Sequence, residues 1–254
     1  MKKRRNLFFA LALSIGITGL VHKMQVNADL LFPSSGEEAV RHVPQDVSKI
    51  PPQDQNRKIL IRVPAQSQAE LYNGCEVTSL SMLLSAAGHP FDKNELAYWI
   101  TKDGTPLQED EDDTIISWGD PNSGFVGDIT GESPGYGVYH GPVAQLIDTL
   151  LSEGAEDLTG QPFDEVLSRV ASGKPVLVWA TVEFQPTSSW VKWTGPHGTV
   201  TATFDEHAVL LVGFDANHVY INDPQDGTAG KAVDRQSFIA AWEQLGKQAV
   251  TFKG

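Results

Sequence analysis

The sequence predicts an α+β fold in which helices pack on an antiparallel sheet, and three observations carry that reading. Segments with helical apolar spacing come first along the chain, short strand-like apolar runs come later, and the 41% hydrophobic content over 254 residues suffices for one core of ordinary size. The first element is the run Ile59-Leu60-Ile61-Arg62-Val63, rich in the β-branched residues that favour strands. A helix is expected from Cys75 to about Ala87, because Val77, Leu80, Leu84 and Ala87 recur at 3.6-residue spacing and Gly88 can take the left-handed position that ends it. Asp92 followed three positions later by Glu95 is a capping-box pattern, which starts a second helix carrying Leu96, Trp99 and Ile100.

From Lys102 to Gly137 no periodicity is visible, and the segment reads as a long loop that gates or lines a cleft. Its acidic run Glu109 to Asp113 lacks the spaced oxygen ligands and turn glycine of a calcium loop, so it reads as a solvated stretch. Further helices are predicted over Pro142 to Glu153, over Phe163 to Ala171 with Gly173 as its stop, and around Ser237 to Leu245. Strands are predicted over Pro175 to Val182, His207 to Phe214, His218 to Asn222 and Gln248 to Phe252. Asp215-Ala216-Asn217 reads as the turn of a hairpin, and no internal repeat is present.

The segment from Met1 to Ala28 has the order of a secretory signal peptide: Lys2, Lys3, Arg4 and Arg5, then an apolar run from Leu7 to Val21, then Val26-Asn27-Ala28 as a cleavage site. Cleavage after Ala28 would leave a secreted product without stable membrane insertion, since a spanning helix needs about 20 apolar residues; the alternative is that the segment is kept as an anchor that retains the protein at the cell surface. Residues 29–57, polar and marked by Pro33, Pro44, Pro51 and Pro52, read as a linker or loosely ordered arm ahead of a domain at 58–254. Cleavage also removes five cations, the four above and Lys23, so the formal net charge of −13 becomes −18. Such a surface repels nucleic acid and anionic lipid and keeps an exported protein soluble.

A single cysteine in an exported chain has no intramolecular partner with which to form a disulfide. Cys75 opens the first predicted helix, where unpaired N–H groups and the helix dipole favour a thiolate, so a lowered thiol pKa is expected. His207 begins a predicted strand and Asp223 follows the next one. Pairing symmetric about residue 215 places His207 opposite Asp223, Val209 opposite Ile221 and Leu211 opposite Val219, close enough for the carboxylate to fix the imidazole tautomer. His197, in Gly195-Pro196-His197-Gly198, is the rival base, but no carboxylate stands in register with it. His89, His140, His197 and His218 are scattered without metal-ligand spacing, so neither a metal nor another cofactor is expected.

The order of Cys75 at a helix start, then His207 far downstream, then Asp223, resembles the papain-like arrangement. The blocks Val63-Pro64-Ala65-Gln66-Ser67-Gln68, Gly74-Cys75-Glu76-Val77-Thr78-Ser79-Leu80, Trp118-Gly119-Asp120-Pro121, Gly135-Tyr136-Gly137-Val138-Tyr139, His207-Ala208-Val209-Leu210 and Asn222-Asp223-Pro224 are similar to exported, stand-alone members of cysteine peptidase family 39. Relatives of that family process bacteriocins within export transporters. The resemblance covers about residues 59–252. It implies a papain-like fold, a Cys75/His207/Asp223 triad and an upstream glutamine as oxyanion donor, with Gln68 the matching residue and Gln66 the alternative. The expected activity is hydrolysis of peptide amides through a thioacyl-enzyme, on a peptide or a peptidoglycan peptide. Two alternatives stand beside it: a cell-wall amide hydrolase of the NlpC or CHAP kind, and a non-catalytic peptide-binding module on the same fold. No transporter or ATP-binding segment accompanies the domain, so a double-glycine leader is not implied as substrate.

Overall fold

A computed structural model describes residues 58–254; the signal peptide and arm expected over residues 1–57 lie outside the described residues. In chain order the elements are β1 (Ile59–Leu60), α1 (Cys75–Ala86), α2 (Lys93–Trp99), β2 (Lys102–Asp103), β3 (Gln108–Glu109), β4 (Ile115–Ser117), β5 (Phe125–Gly127), β6 (Gly135–Gly137) and α3 (His140–Leu150). They continue as β7 (Ala155–Asp157), α4 (Phe163–Ala171), β8 (Val176–Thr181), β9 (Val191–Gly195), β10 (Gly198–Ala202), β11 (Glu206–Phe214), β12 (His218–Asp223), β13 (Thr228–Asp234), α5 (Arg235–Gln244) and β14 (Ala249–Phe252). The main sheet is antiparallel, in the order β13-β12-β11-β8-β14-β7, with β1 added against β11.

Helices cover both faces of this sheet. On one, Val77, Leu80 and Leu84 of α1 and Leu96 of α2 pack with Leu177, Trp179, Ala208 and Leu210. On the other, Val166 and Val170 of α4 and Phe238 and Trp242 of α5 pack with Val178, Val209, Leu211 and Ile221. Strands buried on both sides read as continuous apolar runs rather than alternating ones, which is why β8 is buried at all six positions. The expected α+β class therefore holds, with the N-terminal helices on one face and the later ones on the other.

Helix ends follow their local chemistry. Gly88 takes φ +83°, and the His89 and Gly88 N–H groups donate to the Leu84 and Ser85 carbonyls, a Schellman closure of α1. Asp92 and Glu95 form the expected capping box of α2. Leu96 and Ile100 are buried as expected, whereas Trp99 is 42% exposed and stands outside the core.

The segment from Lys102 to Gly137 is not the long loop its sequence predicts. It holds five short strands, three in the sheet β2-β5-β6 and two joined with β9 and β10 in the sheet β10-β9-β4-β3. Trp118, Val126 and Tyr136 pack there against Trp193, Val200 and Ala202 from the β9–β10 hairpin. Those apolar partners lie far downstream in the chain, so no local periodicity announces them. His197, the rival base, sits exposed in the turn of that hairpin.

Candidate active site

Cys75 is the first residue of α1, after Gly74, which supplies no side-chain cap. The tight approach behind it requires glycine, because a Cβ on Gly74 would stand 2.6 Å from Leu71 Cβ. At the first helical position the Cys75 N–H has no intrahelical acceptor and is free to face a ligand. The thiol is buried, and Sγ–H donates to Glu76 Oε2 at 3.4 Å.

His207 and Asp223 meet, though not by the register expected from the turn. Asp215 to His218 does make the turn, with the Asp215 side chain accepting the Asn217 and His218 N–H groups. Leu210, however, pairs with Asn222 and Leu211 with Ile221, and a bulge follows before Gly213 pairs with Tyr220. Continuing that register sets Val209 beside Asp223, with His207 two positions further along the same face. A shift of two positions preserves the face, and diagonal neighbours remain within reach of long side chains. His207 Nε2 lies 2.8 Å from Asp223 Oδ1, with 4% and 1% of the two side chains exposed.

Burial alone would raise the Asp223 carboxyl, but hydrogen bonds from His207 and Lys231 overcome it and hold the group well below the usual carboxylate range. An ionised carboxylate accepts, so Nε2 carries the proton of this bond and Nδ1 takes no part in it. Sequence reasoning missed two supports of this pair. Lys231 Nζ donates to Asp223 Oδ2 at 2.7 Å and lies 5.1 Å from the Phe184 ring centroid. Phe184, buried at φ +55°, sets its own ring 6.3 Å from the imidazole. Lys231 lies on β13, a strand with too little apolar character to be read in advance, and nothing in the sequence links it to Asp223.

One pocket of about 270 Å³ is lined by Gln68, Cys75, Tyr136, Glu206 and His207, among others. Gln68 is tied to the turn after Asp223 by its N–H to the Pro224 carbonyl, and its Nε2 donates to the Tyr72 carbonyl at 2.6 Å. Gln66 is elsewhere: its amide bonds Ser81 Oγ, which in turn donates to the Phe91 carbonyl. The Cys75 thiol and the His207 imidazole share the pocket without a hydrogen bond between them, the thiol being turned to Glu76.

The lowered thiol pKa expected from the helix start is not what the surroundings produce. Burial pushes the Cys75 thiol well up, and the charges of Glu76 and Glu206 add to it. Sγ and one oxygen from each of these carboxyls lie within 4.8 Å of one another. Glu76 is fully buried; its desolvation outweighs the N–H of Val138 donating at 2.7 Å, and its pKa is pushed up to about 7. Glu206 is pushed well up as well, by burial and then by Glu76. Glu76 is visible in the sequence as the residue after the cysteine, but a carboxylate at that helix position reads as dipole stabilisation, and its burial does not show.

The model of the Peptidase_C39-like family matches residues 60–250 of the chain. A Bacillus subtilis (strain 168) protein known as uncharacterized protein YvpB is 43% identical over 185 residues, 72% of this chain and 70% of that one. A Bacillus anthracis crystal structure of a "putative C39-like peptidase" superposes with a TM-score of 0.71 at 39% identity, covering 78% of this chain and 98% of that one.

Proposed function

Because the chain belongs to the Peptidase_C39-like family, we propose that it is an exported cysteine peptidase that hydrolyses peptide amides through Cys75, His207 and Asp223. The observation that carries this is the buried His207–Asp223 pair at 2.8 Å, opening onto the pocket that also holds a cysteine at a helix N-terminus. Orientation of an imidazole by a carboxylate, beside a nucleophile, is the arrangement that acyl transfer needs.

In the resting site the thiol is neutral and bonded to Glu76, so the reaction begins with Sγ turning from Glu76 to Nδ1 of His207. His207 takes the proton as Sγ attacks the substrate carbonyl, and the C=O electron pair moves onto oxygen. The Cys75 N–H and the second hydrogen of Gln68 Nε2 are the donors for that oxyanion. Collapse expels the amine, protonated by His207, and leaves a thioester on Cys75. Water, deprotonated by His207, then releases the acid and restores the thiol. Asp223 holds the ring throughout, and Lys231 holds Asp223.

The test is incubation of the protein spanning residues 29–254, and of its Cys75→Ala form, with a peptide library and with purified peptidoglycan. Cleavage of peptides by the first and not the second is the expected result. Cleavage confined to peptidoglycan would place the protein with the wall hydrolases, and cleavage of neither would leave a binding module. Export rests on the sequence from Lys2 to Ala28; protein recovered from culture medium should begin at Asp29.

A further inference from the structure

We infer, resting on the reading of this pocket as a peptidase site, that Glu206 forms a subsite for a cationic substrate group, the ammonium of a lysine or another diamino acid flanking the scissile amide. Glu206 directly precedes His207 on β11, and neighbouring strand residues point to opposite faces, so while His207 turns to Asp223, Glu206 turns to the side of α1 and Glu76. The residue is partly buried and lines the pocket, yet its Oε1 is sealed from solvent and accepts no hydrogen bond among the described residues. The two other carboxyls beside the site are both supplied with donors: Asp223 by His207, Lys231 and the Gln225 N–H, Glu76 by Val138. Of these three carboxyls Glu206 alone lacks a donor among the described residues, and a turn of its side chain toward the pocket it lines would let a ligand N–H supply the missing bond.

The rest of the lining favours the same chemistry. Among the described residues no lysine or arginine lines the pocket; apart from Glu206, His207 and the Cys75 thiol its polar side chains carry amides and hydroxyls. The rings of Tyr72, 75% exposed, and Phe204, 53% exposed, form part of the walls, and Phe204 meets Tyr136 edge to face at 5.6 Å. Such rings take the methylene stem of a lysine and attract its ammonium. By themselves burial and Glu76 favour the protonated carboxyl; an arriving ammonium supplies the charge that lets it ionise, so the proton leaves as the cation enters. The acidic run Glu109 to Asp113 is not part of this, since none of it lines the pocket.

The experiment is a hexapeptide library in which lysine, norleucine or glutamate is fixed at each position in turn, cleaved by the wild-type protein and by Glu206→Gln. At one position the lysine pool should exceed the norleucine pool by about tenfold or more, and in Glu206→Gln that ratio should fall to near one. Equal cleavage of lysine and norleucine pools at every position by the wild type, or a lysine preference that survives Glu206→Gln with the fold intact, overturns the assignment. If no pool is cleaved in a Cys75-dependent way, the peptidase reading fails on its own. Retention of the same pools on immobilised Cys75→Ala and Cys75→Ala/Glu206→Gln proteins then decides the subsite: lysine retained selectively by the first alone upholds it, and equal retention by both removes it.

Discussion

Replacing Glu76 by glutamine should stabilise the protein, by an amount that grows with pH. Glu76 is the second residue of α1 and is fully buried, with Oε1 accepting the Val138 N–H and Oε2 facing the Cys75 thiol. Burial raises its carboxyl from an ordinary value of 4.5 to about 7. Between those two values the folded protein keeps a proton that the unfolded chain releases, so folding stability falls as pH rises through the window, and above about 7 the loss is complete. At about 1.4 kcal/mol for each pH unit, the window corresponds to at most about 3 to 4 kcal/mol. Glutamine keeps an acceptor for Val138 and cannot ionise. Thermal melts followed by circular dichroism should therefore show a gain for Glu76→Gln of up to roughly 6–16 °C at pH 8, at roughly 2–4 °C per kcal/mol, shrinking towards nothing at pH 4.5. A gain of the same size at both pH values, or a loss at pH 8, would refute the argument that ionisation of a desolvated carboxyl sets the difference.

The same carboxyls govern the thiol. Iodoacetamide should label Cys75 slowly at pH 7 and quicken only at or above the range of a free thiol, about 8.5, and Glu76→Gln should bring the rate profile to lower pH; rapid labelling of the wild type at pH 6 would instead mean a thiolate already paired with an imidazolium. In steady-state kinetics on any peptide that the protein cleaves, Asp223→Asn should keep much of kcat/KM, because an amide oxygen still accepts the His207 N–H, whereas Asp223→Ala and His207→Ala should lose most of it. Lys231→Met leaves Asp223 buried with one cation fewer and should cost about 1–2 kcal/mol of stability, discounted because the lysine side chain is 36% exposed. Its kcat/KM should fall between those of wild type and Asp223→Ala; unchanged stability and turnover would show Lys231 to be an incidental surface pair.

How much of this is readable in advance depends on how local the signal is. Helix α4 is predicted with its observed bounds, because its apolar spacing and the stop at Gly173 lie close together in the chain. The α1 and α2 ends are readable for the same reason, each being fixed by a glycine or a carboxylate close by. The His207–Asp223 contact is foreseen through a register two positions off, and the error does no harm because strand faces repeat every second residue. The β9–β10 hairpin and the five strands between Lys102 and Gly137 are missed, since their apolar partners are each other's side chains at long sequence separation. The thiol's electrostatics are misjudged for a related reason: the helix dipole is visible in the sequence, but the desolvation of Cys75 and the approach of Glu206, from a strand far along the chain, are not. Gln68 and Gln66 differ by two positions in sequence and separate only in three dimensions, one lining the pocket and the other held by Ser81.

The measurement that bears most directly on the central claim is the intact mass of the protein, quenched in acid within the first turnovers on a cleaved peptide, followed by mapping of any adduct. A mass increase equal to the acyl half of the substrate, carried by Cys75 as a thioester and absent from Cys75→Ala, is the expected result. Peptide cleavage that proceeds with no adduct at Cys75, and at the same rate in the Cys75→Ala protein, would contradict the account.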